Sequence, residues 1–181
     1  MKSYLPILFC GLVFIACSPR TPQAYSEKVL SITNEVDGGF GYLYNRFIEV
    51  QNLPGRSEQS DSLMQYILFE VNDFDQRISE IIEDLERLPD YKGNSELKTE
   101  AVQYIISKQT QMLPSFNEVF EDIYKENFEN QGSGMLNLAS LTRNAITIER
   151  LRKRNAMVSG NYRDFHEQWV KRQQQTAEAN E

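Results

Sequence analysis

Apolar positions along this chain recur at spacings of three and four almost from end to end, the repeat of one face of an α-helix. In the first segment Val29, Ile32, Val36, Leu43, Phe47 and Val50 follow it, and Leu53-Pro-Gly-Arg56 closes it as a turn. The second stripe is the most regular: Leu63, Ile67, Val71, Phe74, Ile78, Ile81, Leu85 and Leu88. Ser57 or Ser60 stands where its N-cap is needed, and Pro89 to Asn94 makes the next turn. The third stripe holds Val102, Ile105, Gln109, Met112, Phe116, Val119 and Ile123, with Tyr124 at its end and Ser95 as the candidate N-cap. Pro114 lies inside that stripe, where a missing N–H and a steric clash predict a kink or a split. After Gln131-Gly-Ser-Gly134 the fourth stripe runs from Leu138 through Leu141, Ala145, Ile148, Leu151, Asn155, Val158, Tyr162 and Phe165 to Trp169, with Gly160 as its weak point. Sustained alternation, the mark of strands, is missing. Four amphipathic segments joined by short loops predict an all-α protein, an antiparallel four-helix bundle over residues 25–172, followed by a polar tail at 173–181 that frays. A helical repeat array is the rival architecture, but no motif of about 34 residues recurs.

The first seventeen residues depart from this pattern. Lys2 precedes an apolar run from Leu5 to Ala16, broken early by Pro6. A run of about twelve residues is too short to span a bilayer as a helix, which needs about twenty. It fits the hydrophobic region of a secretory signal peptide. The run ends Phe14-Ile15-Ala16-Cys17, which resembles the lipobox of bacterial lipoproteins, with Phe14 in place of the usual aliphatic residue. The resemblance implies cleavage before Cys17 and lipidation of Cys17. Cys10 is the poorer candidate because bulky Phe9 precedes it. A plain signal peptide or an uncleaved anchor is the alternative. Ser18, a residue other than aspartate, implies by the same resemblance a place in the outer membrane. Residues 1–16 then form the signal peptide and 17–24 a lipidated tether carrying Pro19 and Pro22. With both cysteines at or before position 17, the mature domain has no disulfide and rests on packing.

A second likeness lies at Leu88-Pro-Asp-Tyr-Lys-Gly-Asn-Ser-Glu-Leu-Lys-Thr-Glu-Ala-Val-Gln-Tyr104, together with Ala24-Tyr25-Ser26 and Val29. It resembles a family of small helical surface lipoproteins of bacteria, in which a "Leu-x-x-Tyr/Phe-Lys-Gly" turn leads into a "Leu-Lys…Ala…Tyr" helix start. The resemblance implies a helical envelope protein and carries over no catalytic residue. Read from the residues alone, the motif is a turn in which Gly93 takes a left-handed conformation while Tyr91 and Tyr104 pack across the corner.

Composition narrows the chemistry. The chain has 181 residues, 40% of them apolar and 25% charged, the balance of one globular domain. Its formal charge of −7 makes it a poor general binder of nucleic-acid backbones. Two cysteines and one histidine cannot build a thiolate zinc cage or a multi-histidine site, so no metal and no cofactor is implied. His166, the single histidine, lacks a partner ligand in sequence, and the residue three before it is Arg163 rather than Glu. Asp73-Phe-Asp75 lacks the glycine and closing glutamate of a calcium loop, and with Glu80, Glu83, Asp84 and Glu86 it reads as a solvated helix face. No nucleophile elbow, phosphate-binding loop or dinucleotide fingerprint is present, so no catalytic residue is assigned.

Charge is spread unevenly. Ser57 to Asp90 holds ten acids and two bases, whereas Arg143 to Arg172 holds eight bases and three acids. The dense basic cluster is Arg150, Arg152, Lys153 and Arg154. It suits an anionic lipid surface or an acidic envelope protein, and internal pairing with the acidic helices is the blander alternative. The leading expectation is therefore a membrane-anchored, non-enzymatic lipoprotein of the cell envelope that binds another envelope component through these charged faces, with no nucleic-acid partner. The alternative is a small-ligand binder with a pocket near Gly38, Gly39 and Gly41 or around Tyr162, His166 and Trp169. In the first of these places close helix approach or a kink is the favoured explanation of the glycines.

Overall fold

A computed structural model describes residues 21–53, 57–129 and 137–179 of the chain. The signal peptide, Cys17, and the breaks at Pro54 to Arg56 and Gln131 to Gly134 lie outside the described residues. The elements are α1 (Pro22–Gln51), α2 (Glu58–Arg87), α3 (Glu96–Gln111), α4 (Leu113–Tyr124), a π-helical turn at Lys125–Glu129, and α5 (Leu138–Glu178). The described residues contain no strand, only one isolated bridge between Tyr91 and Asn94. The third predicted helix is indeed broken by its proline. Met112 ends α3, and Pro114 sits in the first turn of α4, where its missing N–H costs no helical bond. With α3 and α4 counted as one bent rod, the fold is the expected four-helix bundle.

Packing fixes the order around the bundle. Both α2 and α5 lie against α1, α3 and α4, so α2 and α5 occupy diagonal corners. Much of the core follows the predicted stripes: Val29, Val36, Leu43, Phe47 and Val50 of α1 and Ile67, Val71, Ile78, Ile81 and Leu85 of α2 are buried, whereas in α3 Ala101, Tyr104 and Lys108 are buried and the predicted Val102 and Gln109 are only half-buried. Phe40 sits at the centre, with its ring 5.3 Å from Phe74 and 5.8 Å from Phe116. Ser57 caps α2 in a reciprocal box with Ser60.

Several local expectations change. The stretch assigned to a tether is helical from Pro22, because the Thr21 side chain accepts a hydrogen bond from the Ala24 N–H and proline suits the first helical position. The tail is helical to Glu178. Gly160 does not interrupt α5, and Leu138, expected in the core, is 77% exposed in the first turn of that helix. Ser95 makes no side-chain cap. Asn94 does this work instead, its Oδ1 accepting from the Glu96 N–H at 2.8 Å. Between α2 and α3, Lys92 and Gly93 both take positive φ, as the two centres of a tight type I′-like turn require. Tyr91 and Asn94 exchange backbone hydrogen bonds of 3.1 and 2.8 Å across it. Tyr91 does not meet Tyr104 at this corner. Its ring packs against Tyr25 at 5.6 Å and Trp169 at 5.5 Å, which ties the start of α1 and the end of α5 to the turn.

Candidate functional site

The basic cluster of α5 is divided by its helix geometry. Arg150, Arg152, Lys153 and Arg154 are all exposed. Arg152 is committed locally: its Nε and Nη2 donate to Glu149 at 2.9 and 3.1 Å, and its guanidinium lies 5.7 Å from the Tyr44 ring centre. Arg154 donates to the side chain of Gln111 in α3. Lys153 is only 3.7 Å from Glu149 and extends into solvent. Arg150 and Lys153 fall on one stripe with Ile146 and Met157, at spacings of four, three and four. Those two apolar side chains are 52% and 60% exposed. A basic centre flanked by two bare apolar residues covers about 16 Å of helix.

The acidic face of α2 is also solvated, with Asp73, Asp75, Glu80, Glu83, Asp84 and Glu86 all exposed. Its ion pairs run within the helix or to α1. Arg87 pairs with Glu83 and Asp84, and Arg77 with Glu80 and with Glu35 of α1. Glu70 accepts two hydrogen bonds from Arg46 of α1, at 2.9 and 3.1 Å. Because α2 and α5 are diagonal, these faces do not neutralise each other as packed neighbours. Part of the basic charge of α5 is met elsewhere in the bundle, through Arg143–Glu126 of the π-helical turn at 2.6 Å and Arg172–Glu96 of α3 at 2.7 Å.

Tyr162, His166 and Trp169 do not form one pocket. Trp169 is fully buried between Tyr25 and Tyr91. Tyr162 stacks on Tyr104 at 4.3 Å and borders a shallow cleft of about 230 Å³ with Glu100 and Gln103. His166 borders a different cleft, of about 410 Å³, with Ser26, Leu30, Val170 and Lys171. The imidazole is satisfied by α1. Its Nε2 lies 2.9 Å from the Ser26 carbonyl, which can only accept, so Nε2 is the donor. Nδ1 is then the acceptor for the Ser26 hydroxyl at 3.2 Å. This is a helix-to-helix clamp rather than a ligand presented to solvent.

Burial pushes the His166 pKa down, with the Ser26 carbonyl and Glu167 opposing. A folded pKa below the unfolded value of about 6.5 means that the unfolded chain binds the proton first. The clamp therefore contributes fully above about pH 6.5 and is lost as pH falls toward the folded pKa. Urea unfolding between pH 7.5 and pH 5 is expected to show declining stability, with a smaller decline in His166→Gln. Equal slopes for the two proteins would refute this.

The feature that sequence reading missed is a buried polar cluster joining α1, α3 and α5. Lys108 of α3 is 0% exposed, and its ammonium contacts Asp37 of α1 and donates to the Ser159 hydroxyl of α5 at 3.0 Å. Tyr104 donates to the same Asp37 oxygen at 2.6 Å and lies 2.9 Å from Ser159. Burial lowers the Lys108 pKa while Asp37 pulls it up. Burial, then the bond to Asp37, raises that of Tyr104. A lysine that activates a serine must be neutral and free to take its proton. Here the carboxylate faces the ammonium and Ser159 is itself buried, so the arrangement reads as a structural ion pair. The signal was present in the spacing: Lys108 lies three after Ile105 and four before Met112, on the stripe itself.

The α1 glycines have separate explanations. A Cβ on Gly39 would lie 2.1 Å from the Phe74 ring, so this glycine makes room for the Phe74 side chain of α2. A Cβ on Gly38 or Gly41 would meet nothing within 4 Å. No helix among the described residues is long and apolar enough to cross a membrane. No protein-family model, curated protein or solved structure matches this chain.

Proposed function

We propose that this protein is a lipid-anchored, non-enzymatic helical bundle of the bacterial cell envelope, held in the outer membrane through Cys17, that docks another envelope protein on the outer face of α5. The observation that carries the reading is the stripe of Ile146, Arg150, Lys153 and Met157, where apolar and basic side chains are left in solvent along three turns of one helix. Spacings of four, three and four are the anchor pattern by which one helix receives another. The complementary partner is a helical segment with acidic residues at its centre and apolar residues one turn to either side. Such a segment meets the charges and the bare apolar side chains at both ends of the stripe together.

The test uses the full chain expressed in a bacterial envelope and crosslinked in cells. Arg150→Glu with Lys153→Glu is expected to reduce the captured partner at least tenfold, because both contacts change from attraction to repulsion. Cys17→Ser in the same experiment is expected to move the protein out of the membrane fraction. Unchanged capture would sink the docking face, and continued fractionation with membranes would sink the anchor. Binding of the purified bundle to anionic vesicles that the same charge reversal abolishes would replace the protein partner by lipid.

A further inference from the structure

We propose that a cleft between α1, α4 and α5 is a binding site for a small neutral aromatic group carrying one N–H or O–H donor, such as an indole or a phenol. The cleft measures about 300 Å³, at the lower end of ligand pockets, which suits a single ring system rather than a long chain. Phe40, Tyr44, Phe116 and Leu151 line it. Gly41 forms part of the α1 side, and a Cβ there would enter open space. The gap in the glycine-rich turn of α1 thus has a use beyond the helix contact made at Gly39.

Two polar features select the ligand. Asn155 also lines the cleft, and its Oδ1 is buried without a hydrogen-bond partner. A buried acceptor left unpaired is costly, so an entering group that donates one hydrogen bond is favoured over one that does not. Arg152 lies at the rim, its charge already met by Glu149 at 2.9 Å and its guanidinium 5.7 Å from the Tyr44 ring centre. An anionic ligand therefore gains little there, whereas an aromatic face beneath a guanidinium is attracted through its quadrupole. The same chemistry could be supplied by a free small molecule or by a tryptophan or tyrosine side chain of a partner.

The test is titration of the purified full-length protein with indole, followed by backbone amide NMR and calorimetry. Saturable shifts at Gly41, Phe116 and Asn155 are expected, with indole binding about tenfold tighter than N-methylindole, which differs by loss of the donor. Gly41→Leu is expected to weaken indole at least tenfold by filling the cleft. Gly38→Leu, on the same helix and equally unobstructed, should leave it unchanged. Asn155→Leu should erase the preference for indole over N-methylindole, and it keeps the proposal testable if Gly41→Leu does not fold. N-acetyltryptophanamide separates the sources: binding at least as tight as indole indicates a partner's side chain, and loss of binding indicates a free small molecule. No saturable shift up to the solubility of indole would overturn the site. So would equal affinity for indole and N-methylindole, or unaltered binding in Gly41→Leu.

Discussion

Asp37→Asn is expected to destabilise the bundle by about 3 kcal/mol, the low end of the range for stranding a buried charge because Asp37 itself reaches solvent. The Asp37 side chain is 20% exposed, whereas that of Lys108 is wholly buried. Asparagine keeps the shape and can still accept from Tyr104, but it leaves the Lys108 ammonium facing no counter-charge. Lys108→Met is expected to cost less, since it removes the ion that cannot be hydrated and leaves a carboxylate that can be. The double change Asp37→Asn with Lys108→Met should recover most of the loss, the pattern of two residues acting on one another. The pH dependence has a definite sign. A lysine whose folded pKa lies below its unfolded value gains stability as pH rises from the folded to the unfolded value. Asp37→Asn removes the contact that holds this pKa up, so the recovery should begin at lower pH than in the parent. Urea unfolding at pH 7 and pH 9 measures both effects, and a larger loss for Lys108→Met than for Asp37→Asn would contradict the account.

Gly39→Val should lower stability by about 3 kcal/mol, the upper part of the range for overpacking a close contact. Its Cβ would fall 2.1 Å from one Phe74 ring atom and 2.3 Å from another. The ring must swing away, and in doing so it gives up its edge-on contact with Phe40, 5.3 Å between centres. Valine is the informative replacement because alanine would return about 1 kcal/mol of helix propensity and hide part of the clash. Shortening the obstacle should relieve the strain, so Gly39→Val with Phe74→Ala is expected to lose less than the two single changes added together. Thermal and urea unfolding of the four proteins decide it. Strict additivity would mean that Gly39 and Phe74 do not meet as described.

Fold class was legible because burial here follows the helical period closely. The stripes of α1 and α2 needed no tertiary information, and Pro114 announced its own break. Ser57 was readable because a cap lies within a few residues of what it caps. Beyond local details such as the cap at Asn94, the misreadings concern contacts between distant residues. Nothing near Tyr91 says that its ring will find Tyr25 and Trp169 instead of Tyr104. Three dispersed polar residues, Asp37, Lys108 and Ser159, converge only once three helices are packed. A lysine on an apolar stripe is locally indistinguishable from one that extends its charge past the core edge. The candidate site was divided in the same way: the basic cluster was visible, but which of its members are tied down by Glu149 and Gln111 depends on helix phase and on the neighbouring rod. Tyr162, His166 and Trp169 looked like one constellation because they share a stripe, yet each packs on a different neighbour: Tyr162 on Tyr104, His166 on Ser26 and Trp169 between Tyr25 and Tyr91.

The diagonal placement of α2 and α5 gives the molecule an electric dipole across its short axis. With a net charge of −7, the chain as a whole is repelled by an anionic body. The dipole adds a torque, turning α5 toward that body and α2 away from it, and the torque fades beyond a Debye length of about 8 Å at physiological salt. Encounters in the wrong orientation are thus rejected by repulsion and only the aligned approach proceeds, so this charge distribution filters orientation more than it supplies attraction.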